Sequence, residues 1–417
     1  MKVEISYIGN KAKKKSSTLS MIYSQSLAKT MEIEARSTQG LSHQRITHLD
    51  TIRGVAVMGI LIMNSVAFFL GGVAYFDISF PENANWLDWL VAILGEIFAD
   101  QKFMALFSLL FGASILLFCE RAEAKGYSST KLSLWRNFLL FLIGGFHAML
   151  WEGDVLTVYA MCAPVLLMCR KLPPTLLIWL GCLFYLTPVI INWYLVYTIE
   201  PTSFRMIWDN SYLENSSMDI DLAGLGMMYE LFARALGMMF IGMGLYSNGK
   251  LIHIVSTGKI FKRSIVFLII GISLSGIGLV WTYLNEFSTA AIIQGNLANT
   301  VGTIPVALAY VGLLIWWNER TKLHIIKRIQ ALGKTALSNY IGQTVVCLSL
   351  AAIIPQEWLS RSIVFLLIVV IWWLQLFVSE QWLKRYKFGP MEYLWRCVTY
   401  RRLMPIIVHQ DKAILEK

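Results

Sequence analysis

Long apolar segments recur along this chain of 417 residues, and they constrain its fold more than any other feature. A helix needs about 20 mostly apolar residues to cross the hydrocarbon core of a bilayer. Segments that meet or approach this length, each predicted to be a transmembrane helix, are residues 52–71, 103–120, 135–152, 155–169, 174–199, 225–247, 264–284, 298–318, 336–354 and 361–383. The sequence therefore predicts an all-α, polytopic membrane helical bundle with about ten transmembrane helices.

The composition agrees with a lipid-embedded protein. Hydrophobic residues make up 56% of the chain and charged residues 15%, whereas soluble proteins carry about 25% charged residues. The formal net charge is +10, but the basic residues lie in short loops between apolar segments, so no nucleic-acid partner is predicted. The six cysteines are scattered without a Cys-x-x-Cys or Cys/His cluster, so no metal site is predicted either.

The charges of the loops predict the orientation of the bundle. Every second loop is basic, as in residues 121–136 and 320–334, whereas the loops between them are acidic or neutral, as in residues 200–224. The positive-inside rule then places both termini in the cytoplasm. The apolar stretch 86–100 contains three carboxylates, so we expect it to lie at the outer surface or to extend the 103–120 helix as a bent N-terminal half.

Three regions are predicted along the chain. Residues 1–44 are polar and include a run of lysines, which is typical of a disordered cytoplasmic extension. Residues 45–383 form the transmembrane helical domain. Residues 384–417 form a cytoplasmic tail, in which Gly389-Pro390 precedes a short amphipathic helix.

Three ionisable residues lie where two apolar helices meet: His147, Glu152 and Asp154. Polar groups at membrane depth are costly and by default mark a functional site. Imidazole exchanges protons near neutral pH, so His147 is the candidate general base, with Asp154 or Glu152 orienting it and stabilising its charged form. The structural alternative is that Asp154 only caps the following helix. Spacing leaves both interpretations open.

A second group of polar residues begins the first apolar helix. Asp50 is placed to cap free backbone N–H groups and to pair with Arg53 three residues later. The alternative for Arg53 is an interfacial anchor that reaches lipid phosphate. Asn64 lies in the middle of the span and needs a partner, which is either another helix or a ligand.

Other polar residues carry simpler predictions. We expect Lys102 to be an interface anchor and Glu230 to pair with Arg234, one helical turn away. Asn339, at the start of the ninth span, is included among the candidate substrate- or cofactor-binding residues.

Five motifs in order resemble those of the YeiB-like bacterial membrane proteins, the domain-of-unknown-function-418 family. They are Leu-Asp-x-x-Arg-Gly (49–54), Lys-Phe-x-x-Leu-Phe-Ser-Leu-Leu-Phe-Gly (102–112), Gly-Phe-His-x-x-x-Trp-x-Gly-Asp (145–154), Gly-Lys-x-Ala-Leu-x-Asn-Tyr (333–340) and Gly-Pro-x-Glu-x-Leu-Trp-Arg (389–396). The resemblance spans residues 45–402 and implies the cell membrane of a bacterium as the location. It implies no reaction, because the family itself lacks an established one.

The first helix is also similar to that of transmembrane acyltransferases related to heparan-α-glucosaminide N-acetyltransferase, in which a cytoplasmic acyl-CoA donates its acyl group to an acceptor across the membrane. This resemblance implies roles for Asp50, Arg53 and Asn64 in binding donor or acceptor. That enzyme has a functional histidine soon after its first helix, whereas no histidine lies between Gly71 and Lys102 here. We therefore expect His147 to supply the base from another helix.

The resulting hypothesis is an acyltransferase-like membrane enzyme with acyl-CoA as co-substrate, no tightly bound cofactor, and a glycan or lipid acceptor. The first rival is a small-molecule transporter, which predicts broken helices and internal symmetry; no repeat is evident in the sequence. The second rival is a non-catalytic membrane component. The sequence leaves open whether the chain forms a homo-oligomer.

Overall fold

The fold is described from a computed structural model of the protein, covering residues 47–81, 84–213, 217–251, 257–321 and 323–408. The predicted N-terminal extension, residues 1–44, lies outside these ranges, as does the end of the predicted tail. Within them the fold is built from helices joined by short turns. Tyr386 and Ile407 form an isolated antiparallel β-bridge.

The described ranges contain fourteen α-helices. In chain order they are α1 (Thr47–Phe76), α2 (Trp86–Phe98), α3 (Lys102–Glu123), α4 (Ser129–Ala148), α5 (Leu156–Cys169), α6 (Pro174–Thr198), α7 (Thr202–Trp208), α8 (Met218–Ser247), α9 (Thr257–Leu284), α10 (Thr289–Arg320), α11 (His324–Lys334), α12 (Ala336–Ile353), α13 (Arg361–Arg385) and α14 (Pro390–Tyr400).

Each predicted span coincides with one of these helices. Eight helical segments in the described ranges are long and apolar enough to cross a membrane: α1, α2 with α3, α6, α8, α9, α10, α12 and α13. The apolar α5 is shorter, and α4 is outside this set of eight. The prediction of a polytopic, all-helical membrane bundle is therefore confirmed, while the number ten and the cytoplasmic termini stay predictions.

Helix α1 lies at the centre of the bundle, where it contacts α3, α10, α11, α12 and α13. Close helix packing in a membrane depends on small residues that allow backbones to approach. At the α3–α8 contact, a Cβ on Gly112 would lie 2.0 Å from the Met239 carbonyl oxygen. A Cβ on Gly242 would lie 1.9 Å from the Leu109 carbonyl oxygen, so neither glycine can be enlarged without separating the helices.

The apolar stretch 86–100 forms α2 and is separated from α3 by a break at residues 99–101. Asn85 caps α2 through a reciprocal pair of hydrogen bonds with Asp88. The break is enforced by Gln101, whose φ of 62° is left-handed. Helices α2 and α3 together form one apolar helical segment, Trp86–Glu123, interrupted by this break, while the position of α2 relative to the membrane surface stays a prediction.

Lys102 corrects one expectation. We predicted an interface anchor at the outer end of a span, but the Lys102 side chain is fully buried. Its ammonium donates to the Glu96 carbonyl oxygen at 2.8 Å and to the side-chain oxygen of Asn299. The chain break at residues 99–101 turns Lys102 inward, and periodicity along an uninterrupted helix does not reveal that turn.

The predicted amphipathic helix of the tail is present as α14, with Pro390 in its first turn. Trp395 attaches it to α4, because the indole N–H donates to the Arg136 carbonyl oxygen at 2.8 Å. Glu392 attaches it to α12, accepting from the backbone N–H groups of Leu337 and Ser338 at 2.7 and 3.2 Å. The helix α14 thereby closes one end of the space between α4 and α12.

Candidate functional site

A chain of buried hydrogen bonds centres on His147, near the end of α4. Its Nδ1 lies 2.8 Å from Asp154 Oδ1, and its Nε2 lies 2.9 Å from the hydroxyl of Thr344 on α12. All three side chains are buried. An ionised carboxylate only accepts hydrogen bonds, so the network places the imidazole hydrogen on Nδ1 and leaves Nε2 to accept from Thr344. The lone pair needed by a general base therefore faces a hydroxyl group.

Asp154 makes the hydrogen bonds that both interpretations of the sequence expect. Its Oδ1 orients His147, while its Oδ2 accepts from the Thr157 backbone N–H at 2.9 Å and from the Thr157 hydroxyl at 3.0 Å. The bond from the Thr157 N–H satisfies one of the free backbone N–H groups at the start of α5, as an N-terminal cap does. Capping fixes the carboxylate in place, and the fixed carboxylate then orients the imidazole.

Aromatic side chains surround the imidazole. The Tyr340 ring centroid lies 5.1 Å from that of His147, and the Trp151 centroid lies 6.4 Å away. Trp151 in turn packs against Phe68 of α1, with 4.6 Å between their centroids. These rings exclude water from His147 and connect its surroundings to the first helix.

Helices α1 and α4 present matching pairs of polar residues. Arg53 and Asn64 are separated by 11 residues (64 − 53), and Arg136 and His147 also by 11 (147 − 136). Eleven residues are about three helical turns, so each pair lies on one helix face with about 16 Å between its members. Phe68, one turn beyond Asn64, contacts Trp151, which lies one turn beyond His147. Asn64 therefore lies at the level of His147, and Arg53 about 16 Å below it.

Basic residues gather at the lower end of these faces, on the predicted cytoplasmic side. Arg53 pairs with Asp50 at 3.2 Å, as the i, i+3 spacing predicted. The Arg136 guanidinium lies between two rings, 4.5 Å from Phe118 and 4.2 Å from Trp395. Arg53 and Arg396 of α14 both act electrostatically on Arg136. Guanidinium groups of α1, α4 and α14 therefore interact electrostatically, and guanidinium groups are well suited to binding phosphate.

An apolar groove of about 390 Å³ lies between α4, α12 and α14 and reaches His147. Its walls include Leu142 and Phe146 of α4 and Leu150 just after the end of α4, each more than a third exposed. In the predicted topology α4 crosses the membrane, and these exposed side chains would then face lipid. In that topology the groove opens sideways towards the bilayer, with His147 among its lining residues.

The remaining predicted site residues lie outside this cluster. Glu152 is exposed in the turn between α4 and α5. The Asn339 amide donates to the Thr335 carbonyl oxygen at 2.9 Å and to the Ser379 hydroxyl at 3.0 Å. These bonds join α12 to the end of α11 and to α13, so the structure places Asn339 in a helix-packing contact.

A second buried polar cluster surrounds the break between α2 and α3. The Asn299 amide of α10 donates to Glu96 Oε1 at 3.1 Å and to Asp100 Oδ2 at 2.8 Å, while its oxygen accepts from Lys102. Nearby, the predicted pair of Glu230 and Arg234 is confirmed, with 3.0 Å between the charged atoms. This polar cluster and the His147 site lie on different sets of helices.

Sequence reasoning missed two residues of these clusters. Thr344 and Asn299 are single polar residues inside apolar helices, where a hydroxyl or amide is usually explained by bonding within its own helix or to a neighbour. Their partners lie about 200 positions away along the chain. No local pattern marks such a pair, because the contact is made only when α12 or α10 packs into place.

The chain is similar to proteins that carry no assigned activity. Residues 253–402 match a family model described as "Protein of unknown function (DUF418)". "Uncharacterized protein YxaH" of Bacillus subtilis (strain 168) is 27% identical over 407 residues, covering 88% of this chain and 97% of the relative. "Uncharacterized protein YeiB" of Escherichia coli (strain K12) is 27% identical over 397 residues, covering 87% and 98%. No solved structure matches the chain.

Proposed function

We propose that this YeiB-like membrane protein of the domain-of-unknown-function-418 family is an acyltransferase that uses a cytoplasmic acyl-CoA. The hydrogen-bond chain from Asp154 through His147 to Thr344 carries this proposal. It resembles the arrangement in which a carboxylate orients an imidazole that takes a proton from a hydroxyl group.

The proposed reaction follows from the orientation of the imidazole. An acceptor hydroxyl or amine takes the position of the Thr344 hydroxyl and gives its proton to His147 Nε2. The acceptor atom forms a bond to the thioester carbonyl carbon, the carbon–sulfur bond breaks, and the CoA thiolate recovers the proton from the imidazolium. Asp154 stabilises the imidazolium while it carries the charge.

The basic region on the predicted cytoplasmic side suits the donor. Phosphate groups are bound well by guanidinium groups, and Arg53, Arg136 and Arg396 share that region. We propose that the Asn64 amide contacts the acyl carbonyl or the acceptor, because three helical turns from Arg53 bring it to about the level of the imidazole. Donor phosphates would thus be held about 16 Å below the reacting carbon.

The test compares two histidine variants of the purified protein. We expect release of CoA from acyl-CoA, to water or to an acceptor, and its loss in His147→Gln. The matched control is His324→Gln, because His324 is 62% exposed and pairs only at the surface with Glu380. CoA release that persists in a folded His147→Gln protein would refute the assignment of the base.

A transporter is the second candidate, favoured by the break between α2 and α3. Interrupted helices with buried charges are common at the binding sites of transporters. At this break, however, Lys102 bonds the carbonyl oxygen of Glu96, so the break is satisfied within the protein. Proteoliposomes that enclose the pH-sensitive dye pyranine test this candidate: proton entry that disappears in Glu96→Gln would favour transport.

A further inference from the structure

We propose that the groove between α4, α12 and α14 binds the alkyl chain of a lipid acceptor, whose hydroxyl group reaches His147. This inference rests on the proposed function, which leaves the acceptor unspecified. The groove is bounded by aliphatic and aromatic side chains, and the imidazole lies in its wall. A ligand that complements it has an apolar chain and a single polar group at one end.

The chemistry of the lining argues against the donor as its occupant. The pantetheine arm of CoA contains two amides, and burying an amide without a hydrogen-bond partner is costly. Apart from His147, Trp395 is the lining residue whose side chain carries a nitrogen or oxygen atom. Its indole N–H already donates to the Arg136 carbonyl oxygen. The groove therefore offers no partners for a pantetheine arm, whereas an alkyl chain needs none.

The absence of charge from this lining also restricts the lipid. An ionised headgroup would have to leave water without a counter-charge, which is unfavourable. A neutral hydroxyl fits, because it can take the place of the Thr344 hydroxyl as the donor to His147 Nε2. The acceptor class is therefore a neutral lipid alcohol that enters sideways from the bilayer past Phe146 and Leu150.

The groove and the basic region approach His147 from different sides of α4. Residues 140 and 147 are buried in the bundle, whereas residues 142, 146 and 150 are exposed and line the groove. His147 lies at the boundary of these two faces. A donor from the basic region and an acceptor from the groove can therefore meet at the imidazole. The acceptor oxygen acquires the acyl group as its proton passes to Nε2, and the departing CoA thiolate takes that proton.

The first experiment measures acyl transfer from acyl-CoA to primary alkanols from ethanol to dodecanol. Burying each added methylene is worth a factor of about four, so KM for the alkanol should fall about fourfold per methylene until the groove is full. Leu142→Trp narrows the groove, so in this variant KM should stop decreasing at a shorter alkanol than in the native protein. The matched control, Leu366→Trp, places the same side chain at another exposed apolar position, on α13, and should leave the series unchanged.

The second experiment uses a long-chain alkanol that carries a diazirine, with the protein in lipid nanodiscs. Photolabelling concentrated on α4 and α14, and reduced by Leu142→Trp, supports the inference. Labelling spread evenly over the lipid-facing helices overturns it, because the groove then holds annular lipid only. If CoA release depends on His147 but its KM does not depend on alkanol length, the inference about the groove is overturned, while the proposed acyl transfer stands. Absence of CoA release with every acceptor refutes the proposed function instead.

Discussion

Replacing Asp154 with asparagine separates its two roles, because an amide keeps the shape of the side chain but changes what it can bond. The amide oxygen can still accept from the Thr157 N–H and cap α5. The amide nitrogen then faces His147 Nδ1, and two donors cannot share one bond. The imidazole must move its hydrogen to Nε2, which removes the lone pair that faces Thr344.

The stability cost of Asp154→Asn should be small. A hydrogen bond to a charged group contributes about 1.5–3 kcal/mol and a neutral one about 0.5–1.5 kcal/mol, so the exchange should cost about 1–2 kcal/mol. Asp154→Ala also loses the cap, which adds about 1 kcal/mol, and it leaves His147 without a partner. We therefore expect the alanine variant to be clearly less stable than the asparagine variant in thermal unfolding.

The activity cost of Asp154→Asn should be large. The equivalent change in a Ser-His-Asp arrangement lowers kcat by about 10⁴, mainly through the wrong tautomer. We expect a loss of at least about 10³-fold in the transfer of acyl groups from acyl-CoA. The control is Thr157→Val, which removes only the hydroxyl bond to Asp154 and leaves the carboxylate on His147.

The tautomer itself can be observed without an activity assay. In protein labelled with ¹⁵N-histidine, the His147 signals should indicate a hydrogen on Nδ1 in the native protein and on Nε2 in Asp154→Asn. If the asparagine variant is folded, keeps the native tautomer and transfers acyl groups at more than a tenth of the native rate, then Asp154 is a cap and nothing more. Asp154 would then have no role in setting the tautomer of His147.

Three further predictions concern packing and helix ends. Lys102→Met should destabilise the protein by about 1–3 kcal/mol in thermal unfolding, because it leaves the Glu96 carbonyl oxygen and the Asn299 side-chain oxygen without their charged donor. Gly112→Ala should cost at least about 1–3 kcal/mol, since its Cβ would meet the backbone of α8. Gly145→Ala, whose Cβ meets nothing within 4 Å, should instead be neutral or stabilising by up to about 1 kcal/mol. Glu392→Gln should weaken the cap of α12 by about 1 kcal/mol, seen as faster hydrogen exchange at the Leu337 amide. A stable Lys102→Met protein, equal stabilities of the two glycine variants, or unchanged exchange would each contradict the corresponding contact.

Local rules in the sequence determined the membrane helices. Length and apolar composition are enough to place a helix in a bilayer, because backbone polar groups in lipid must bond within the segment itself. The same local reasoning found the pairs Asp50–Arg53 and Glu230–Arg234, whose spacing of three or four residues puts both partners on one helix face. It also identified the His147–Asp154 pair, since seven residues and one short turn separate the two.

Tertiary structure decided which distant groups those helices bring together. Thr344 forms a hydrogen bond with His147, and Asn299 forms one with Asp100, only because segments about 200 residues apart in the chain pack side by side. Lys102 carried the charge expected of a surface anchor, but the left-handed Gln101 before it turns the chain and buries the ammonium. The sequence shows which polar groups lie in apolar segments and therefore need a hydrogen-bond partner. Which partner each group has depends on contacts between helices, and these contacts form only when the bundle assembles.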